Sequence, residues 1–263
     1  MSLKKNGFDN YLTYFEHNLD SFEIPTIFIH GVGLDNTMWI PQKKFFIDKQ
    51  IIFYDLLNHG KTKKGYTELN FYDFTHQLNN LIQYLKIKKC NLVGFSIGAL
   101  IAQHFSEQFY NKVNKLVLLG SIYDRNEEQI RIVKNRFQQA LEGKSISEES
   151  IKRWFNEDYL IKNPNIYDFF YNILKNNKKN DFLTAYKVFV EADDYFIDFS
   201  KLIMPTLIMT GENEVGSTPY MSKMLNKKIK NSEVSIIANA KHMATFESSH
   251  IVNQLIFNFL YKK

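Results

Sequence analysis

Residues 90–103 read CNLVGFSIGALIAQ, in which a glycine–serine turn separates two apolar runs. An apolar run typical of a buried strand ends at Gly94, and a run typical of a helix begins at Ile97. The pentapeptide GFSIG at 94–98 therefore places a serine on a tight strand-to-helix turn, where glycines let the strand and the helix approach each other. A chance glycine–serine turn is the plain alternative. The strand before the pentapeptide and the helix after it favour a nucleophilic Ser96.

Short apolar runs alternate with amphipathic stretches on both sides of this turn. Continuous apolar strands that alternate with helices are typical of a parallel sheet covered on both faces. We therefore predict an α/β fold with strands over 25–29, 50–54, 90–94, 115–119, 206–209 and 235–237. Helices are predicted over 71–85, 97–109 and 251–261, and a further helix begins at Thr218-Pro219.

One long segment interrupts the alternation. Residues 123–200 contain no clear strand, and helical patterns dominate them. We predict a helical cap insertion over the carboxyl edge of the sheet, where open α/β sheets bind their ligands. The predicted organisation is a core domain of residues 1–122 and 201–263 and a cap of residues 123–200.

The composition excludes several classes of protein. The 263 residues are 44% hydrophobic and 23% charged, which supplies a core and excludes global disorder. The net charge of +5 comes from scattered lysines, so no nucleic-acid-binding arm is expected. The single cysteine, Cys90, excludes a disulfide framework and a cysteine-rich zinc site. We find no signal peptide and no apolar run long enough to cross a bilayer, and we expect a cytoplasmic protein.

A second glycine-rich turn, HGVG at 30–33, follows the first strong strand. In acyl transfer, backbone N–H groups must face the oxygen that becomes negative. We expect the amides of Val32 and Ile97 to be these donors. A plain connecting loop is the alternative. A phosphate-binding loop has less support, because the glycine and lysine pattern that such loops need is missing.

The general base is predicted to be His242, which follows the last predicted strand and precedes the closing helix. This position agrees with the chain order of serine, acid and histidine that accompanies such a turn. Other histidines fit less well, because they lie on predicted helices, in early loops or near the closing helix: His17, His30, His59, His76, His104 and His250.

The acid is predicted in the loop after the strand over 206–209, which reads GENEVGSTP at 211–219 and contains no aspartate. We choose Glu214, with Glu212 as the alternative. A glutamate can hold the histidine in the correct tautomer as an aspartate does. Asp124, a few residues after an earlier strand, is the fallback, because such triads are defined by geometry and not by sequence position.

The chain resembles the α/β-hydrolase family over nearly its whole length. The resemblance rests on HGVGLDNTMW at 30–39, YDLLNHGKT at 54–62, VGFSIGALIAQ at 93–103, and PTLIMTGENEVGSTP at 205–219 with AKHM at 240–243. Within the family it is most similar to small bacterial 3-oxoadipate enol-lactonases and amidomethylene-succinate hydrolases. The resemblance implies Ser96 as nucleophile, His242 as base, the Val32 and Ile97 amides as oxyanion hole, and an acid at Glu214, where the family usually has aspartate.

The arginines suggest an acidic substrate. All of them lie in the first half of the predicted cap, and an arginine can bind a carboxylate through two parallel hydrogen bonds: Arg125, Arg131, Arg136 and Arg153. Exposed ion pairs with nearby glutamates are the competing interpretation. Arg153 is our first choice for a substrate contact, and the other expected substrate-binding residues are Trp39, Trp154 and Met243.

Together these features predict a serine hydrolase that cleaves a small, carboxylate-bearing ester, enol-lactone or amide. A carbon–carbon bond hydrolase of a dienone acid would use the same triad, and a non-enzymatic ligand receptor on the same fold is a further alternative. The mechanism needs no metal and no organic cofactor. The expected partner is a small-molecule substrate, with no nucleic acid and no membrane, and the sequence leaves the oligomeric state open.

Overall fold

A computed structural model describes residue 3 and residues 5–21 and 23–262, whose strands form one sheet. The strands are β1 (Lys5–Phe8), β2 (Tyr14–His17), β3 (Thr26–Ile29), β4 (Ile51–Tyr54), β5 (Cys90–Phe95), β6 (Val113–Leu119), β7 (Thr206–Gly211) and β8 (Ser232–Ile237). Their order in the sheet is β1-β2-β4-β3-β5-β6-β7-β8. Strands β3 to β8 are parallel, and β1 and β2 are antiparallel to their neighbours. The predicted, mostly parallel α/β sheet is confirmed.

The core helices cover both faces of this sheet. They are α1 (Ile40–Phe45), α2 (Phe71–Tyr84), α3 (Ile97–Gln108), α9 (Pro219–Lys228), α10 (Ala244–Glu247) and α11 (Ser249–Tyr261). Successive strand residues point to opposite faces. Ile27 and Ile29 accordingly pack with α2, α3 and α9, whereas Phe28 packs with α10, α11 and the segment that leads into α1. Two apolar layers therefore sandwich the sheet, which is why its central strands are continuously apolar.

The helix starts follow local chemistry. Asn70 caps α2 by accepting from the amides of Tyr72 and Asp73, and the Asp73 carboxylate accepts from the Asn70 amide. Thr218 caps α9 and Pro219 is its first residue, as predicted. These ends agree with the ranges expected from apolar periodicity.

The hairpin of β1 and β2 was not predicted. Strand β1 reads KNGF and is mostly exposed, so it has no alternating apolar pattern. Strand β2 is only four residues long. It joins the sheet through antiparallel pairing with β4, in the register Phe15 to Tyr54. Tertiary pairing stabilises this hairpin, and its local sequence carries little strand signal.

Between β6 and β7 the chain forms helices and, across residues 123–200, no strand. The helices are α4 (Glu127–Leu141), α5 (Ser147–Trp154), α6 (Glu157–Lys162), α7 (Pro164–Lys175) and α8 (Lys179–Val190). We refer to residues 123–200 as the cap. Helix α4 packs on α8 and α5 packs on α7. The Met243 amide, which follows β8, donates to the Trp154 carbonyl, so the cap rests on the loops at the carboxyl ends of the strands.

Among the residues that the structure describes, no helix combines the length and the apolar character that a bilayer crossing requires.

A buried histidine on α3 makes stability depend on pH. Burial lowers the pKa of His104 from 6.5 to about 4. The folded protein therefore keeps this ring neutral, while the unfolded chain binds a proton below its ordinary pKa, so stability is lost as the pH falls from 6.5 toward 4. We expect His104→Phe, which retains an aromatic ring against Phe71, to remove this loss.

The unfolding free energy of His104→Phe relative to wild type should rise by about 2 kcal/mol between pH 7 and pH 5. Urea denaturation followed by circular dichroism at both pH values measures this difference. The same difference at both pH values would show that His104 does not contribute to acid sensitivity.

Candidate active site

Ser96 sits on a strained turn between β5 and α3. Its backbone has φ 56° and ψ −121°, a conformation that a non-glycine residue adopts only when its surroundings impose it. A Cβ at Gly94 would collide with the carbonyl of Gly98, and a Cβ at Gly98 would collide with the carbonyls of Ile29 and His30. The two glycines therefore permit the close packing of strand and helix that holds the serine in this conformation.

Glu214 and His242 form a pair. Nδ1 of His242 lies 2.8 Å from Oε2 of Glu214. The other carboxylate oxygen, Oε1, accepts from the amides of Gly216 at 2.5 Å and Ser217 at 3.1 Å. Burial by itself would raise the pKa of Glu214, but the charge and hydrogen bond of His242 and the two amides outweigh it and lower the pKa to about 2. The carboxylate is thus ionised and can orient the imidazole through Nδ1.

The serine and this pair line the same cavity. Its volume is about 320 Å³, and Ser96, Glu214 and His242 are among its lining residues. The ring of His242 packs 4.7 Å from the ring of Phe95, the residue before the serine. Gly120, with φ 58°, leaves room for the imidazole, because a Cβ there would lie 3.2 Å from Cε1 of His242. The loops that follow β5, β7 and β8 therefore converge on one point.

The alternative acids lie elsewhere. Glu212 is exposed, and its Oε2 accepts from the amide of Asn239. Asp124 is exposed and is not among the residues that line the cavity. Of the three carboxylates weighed from the sequence, Glu214 alone contacts His242.

The expected oxyanion donors lie beside the cavity. Val32 lines it, and Ile97 is the first residue of α3, whose amide has no acceptor within the helix. In the described part of the chain, neither the Val32 amide nor the Ile97 amide has a hydrogen-bond acceptor. Both are thus available to a substrate oxygen.

Two buried histidines support this region, and sequence reasoning left them without a role. Nε2 of His30 accepts from the Leu56 amide, and its Nδ1 lies 2.8 Å from the Gly31 carbonyl. Burial lowers the pKa of His30 to about 4 and, together with the charge of His30, lowers the pKa of His59 to about 3. Both rings are neutral and have both nitrogens engaged, so neither competes with His242 as a base.

The buried carboxylate of Asp55 links the loop after β3 to the loop after β4. Asp55 accepts from the amide and side chain of Asn36 and from the amide of Lys61. Burial, with the charge of Asp35, raises the pKa of Asp55 to about 6. Asp55, His59 and Lys61 lie in the segment YDLLNHGKT at 54–62. This segment contributes to the family resemblance, but the sequence analysis assigns no role to its side chains.

Three of the four arginines line the cavity. They are Arg125, Arg136 and Arg153, whereas Arg131 is exposed and pairs with Glu128 on the outside of the cap. The competing interpretation, an exposed ion pair, therefore holds for Arg131.

Arg125 is held firmly by the cap. Its Nε lies 2.6 Å from the carboxylate of Asp193, and its Nη2 donates to the carbonyls of Phe189 and Val190. Its Nη1 is buried and has no hydrogen-bond partner among the described residues. One donor of a fixed guanidinium therefore stays free beside the cavity.

Arg136 and Arg153 have no carboxylate within 4.0 Å in the part of the chain that the structure describes. Burial, and then the charge of Arg136, lowers the pKa of Arg153 to about 10. Burial raises the pKa of the Tyr186 hydroxyl, which lines the cavity, and the charges of all three arginines partly oppose this increase. An anion bound in the cavity would interact favourably with these positive charges and reduce their mutual repulsion.

The four expected substrate-binding residues divide into two groups. Arg153 and Trp154 line the cavity, with the ring of Trp154 6.2 Å from that of His242. Trp39 and Met243 are fully buried in the core layer that contains Phe28, and they do not line the cavity. Both side chains pack in the core cluster that contains Phe95, the residue before the serine, so they support the site from the core.

No group of three or more His, Cys, Asp or Glu side chains among the described residues could hold a metal ion.

Comparison with known proteins agrees with the observed fold. A family profile described as the alpha/beta hydrolase fold matches residues 25–143. An enol-lactonase from Burkholderia xenovorans superposes with a TM-score of 0.86 over 98% of this chain and 100% of its own, at 17% identity. This chain has the α/β-hydrolase fold. The resemblance stated from the sequence is confirmed.

Further matches extend over most of this chain. It is 27% identical over 232 residues, 88% of each chain, to the (E)-2-((N-methylformamido)methylene)succinate hydrolase of Acinetobacter baylyi. A meta-cleavage product hydrolase from Pseudomonas fluorescens superposes with a TM-score of 0.79 at 15% identity, over 98% of this chain and 97% of its own.

Proposed function

We propose that this protein is a serine hydrolase that cleaves a small, carboxylate-bearing ester, enol-lactone or amide through an acyl-enzyme on Ser96. The observation that carries the proposal is the strained Ser96 in the same cavity as the paired Glu214 and His242. Hydrolases among the relatives, which include an enol-lactonase and a succinate hydrolase, support an enzyme that acts on ester or lactone bonds.

The reaction follows from the orientation of the imidazole. Because Nδ1 of His242 faces Glu214, Nε2 is the nitrogen that takes the hydroxyl proton as Oγ of Ser96 attacks the carbonyl carbon. The amides of Val32 and Ile97 hold the resulting oxyanion. His242 then gives the proton to the leaving alcohol, enol or amine. Water, deprotonated by the same nitrogen, releases the acid and regenerates the serine.

The arginines support an acidic substrate. A carboxylate in the cavity would meet Arg136 and Arg153, which have no carboxylate partner among the described residues, and the free Nη1 of Arg125. A guanidinium can bind both oxygens of one carboxylate. The curated relative from Acinetobacter baylyi acts on a substituted succinate, whose two carboxylates fit the same chemistry.

Carbon–carbon bond hydrolysis is the second candidate, because the meta-cleavage product hydrolase shares the fold. The same serine, histidine and acid would serve, and a carboxylate would again meet the arginines. Analysis of the products by mass spectrometry separates the two reactions. Cleavage of an ester breaks a carbon–oxygen bond and the leaving group keeps that oxygen, whereas cleavage of a carbon–carbon bond gives a leaving fragment with a new carbon–hydrogen bond.

The proposed partner of this site is therefore a small molecule. We also propose a cytoplasmic location, since Cys90 is a free, buried thiol, which suits a reducing compartment. Fractionation of the native cells, with the protein detected by antibody, tests this location.

Replacement of the nucleophile tests the proposal most directly. Ser96→Ala should leave a folded protein that loses at least about 10⁴-fold in kcat on a p-nitrophenyl ester, because Ser96 is the proposed nucleophile that forms the acyl-enzyme. Wild type should react with a fluorophosphonate probe, and the variant should not. Near-wild-type turnover by the variant would reject the assignment of Ser96. Ligand binding by a wild-type protein that neither reacts nor turns over would identify a receptor.

The acid is tested by two matched glutamates of one loop. Glu214→Gln should lower kcat about 10³- to 10⁴-fold, because an amide cannot stabilise the imidazolium that forms during the reaction. Glu212→Gln, the control on the exposed side, should stay within twofold of wild type, a change of about 0.4 kcal/mol. Steady-state kinetics on one ester give both values. A larger loss of kcat in Glu212→Gln than in Glu214→Gln would assign the role of the acid to Glu212.

The substrate class is tested by two matched arginines of the cap. Arg153→Ala should lower kcat/KM about 10- to 100-fold for esters that carry a free carboxylate, since a charge-assisted hydrogen bond is lost. It should leave neutral esters nearly unchanged. Arg131→Ala, at the exposed ion pair, should affect neither class. Equal losses of Arg153→Ala on acidic and neutral esters would contradict recognition of a carboxylate.

A further inference from the structure

The loop that carries the Val32 amide is held by hydrogen bonds on several sides. In a trans peptide the N–H points away from the preceding C=O, so the direction of the Val32 amide depends on the Gly31 carbonyl. That carbonyl receives the Leu34 amide at 3.2 Å and the Nδ1 of His30 at 2.8 Å. These two bonds point the carbonyl toward the core and turn the Val32 amide the opposite way.

The next residue, Gly33, is bound from two different parts of the molecule. Its φ of 74° lies in the left-handed region that glycine adopts readily. Its amide donates to Nε2 of His59, in the core, at 2.9 Å. Its carbonyl accepts from Nδ2 of Asn177, in the cap, at 2.7 Å.

Asn177 also holds the end of a cap helix. It follows α7, and its Nδ2 lies 3.3 Å from the carbonyls of Ile173 and Leu174. The cap packs directly on the glycine as well, because a Cβ at Gly33 would meet Phe182 at 3.0 Å and Leu174 at 3.1 Å. The placement of α7 therefore affects the position of Gly33, the residue after the proposed oxyanion donor Val32.

We propose that Asn177 is a positioning residue that couples the placement of the cap to the direction of the Val32 amide. The inference rests on the proposed function, since it assigns the rate of that reaction to this contact. The Gly33 carbonyl and the Leu34 amide belong to one planar peptide, and that amide donates to the Gly31 carbonyl. Loss of the Asn177 bond therefore loosens the peptide that fixes the Gly31 carbonyl, and the Val32 amide loses its alignment with the oxyanion. An oxyanion donor acts mainly on the transition state, so the contact governs kcat and leaves KM nearly unchanged.

The test compares two neighbouring asparagines of the same turn. Asn177→Ala should lower kcat about three- to tenfold on the ester that wild type hydrolyses, with KM within twofold, since one hydrogen bond of ordinary strength is lost. Asn176→Ala removes an exposed side chain one residue earlier and should match wild type in both constants. Circular dichroism and thermal unfolding show whether each variant is folded.

A boronic acid supplies a readout that loss of helix stability alone would not move. It adds to the serine hydroxyl to form a tetrahedral adduct that resembles the transition state. Its inhibition constant for Asn177→Ala should rise by the same factor as kcat falls. The constant for a planar, unreactive ester analogue should be the same in Asn177→Ala and Asn176→Ala.

A second variant keeps the test decisive if alanine unfolds the cap. Asn177→Asp preserves size but replaces the donor with a carboxylate that repels the Gly33 carbonyl, so kcat should fall at least as far as with alanine. A folded Asn177 variant with unchanged kcat, or with a change in KM alone, would overturn the inference. A wild-type protein that fails to react with a fluorophosphonate would instead refute the proposed function.

Discussion

The active centre depends on a steric constraint at one turn. Ser96 is held at a positive φ because α3 packs so closely on β5 and on the end of β3 that neither Gly94 nor Gly98 has space for a Cβ. Such strain persists only where the surroundings determine the backbone. Here the surroundings are the parallel sheet on one side and the first turn of a buried helix on the other.

The ionisation states of the buried groups near the serine depend on their hydrogen-bond partners. Glu214 is buried yet ionised, because a nearby imidazole and two amides compensate for the loss of water. His30 and His59 are also buried but stay neutral, and their hydrogen bonds hold the loop that contains Gly31 and Gly33. Histidines of one chain thus have different roles, and what separates them is the partner that each ring nitrogen meets.

In the proposed function, the cap contributes both recognition and alignment. Its arginines bring positive charge to a cavity whose other walls are largely apolar, which suits a small substrate with an acidic end. The contact between Asn177 and Gly33 links the same cap to the loop of the oxyanion donor.

Much of this arrangement could be predicted from residue order. The apolar strands, the pentapeptide around Ser96 and the succession of Ser96, Glu214 and His242 place three loops at the carboxyl edge of one parallel sheet, because parallel strands all end on the same side. The hairpin of β1 and β2 could not be predicted, since it depends on pairing with β4 and has almost no local signal. The sequence alone therefore determined the order of elements and the edge at which the reactive groups meet. Tertiary packing decided which arginines face the cavity, why Trp39 and Met243 fill the core, and how Asn177 reaches Gly33. Those outcomes depend on how each helix is rotated against its neighbours, which the spacing of residues along the chain does not specify.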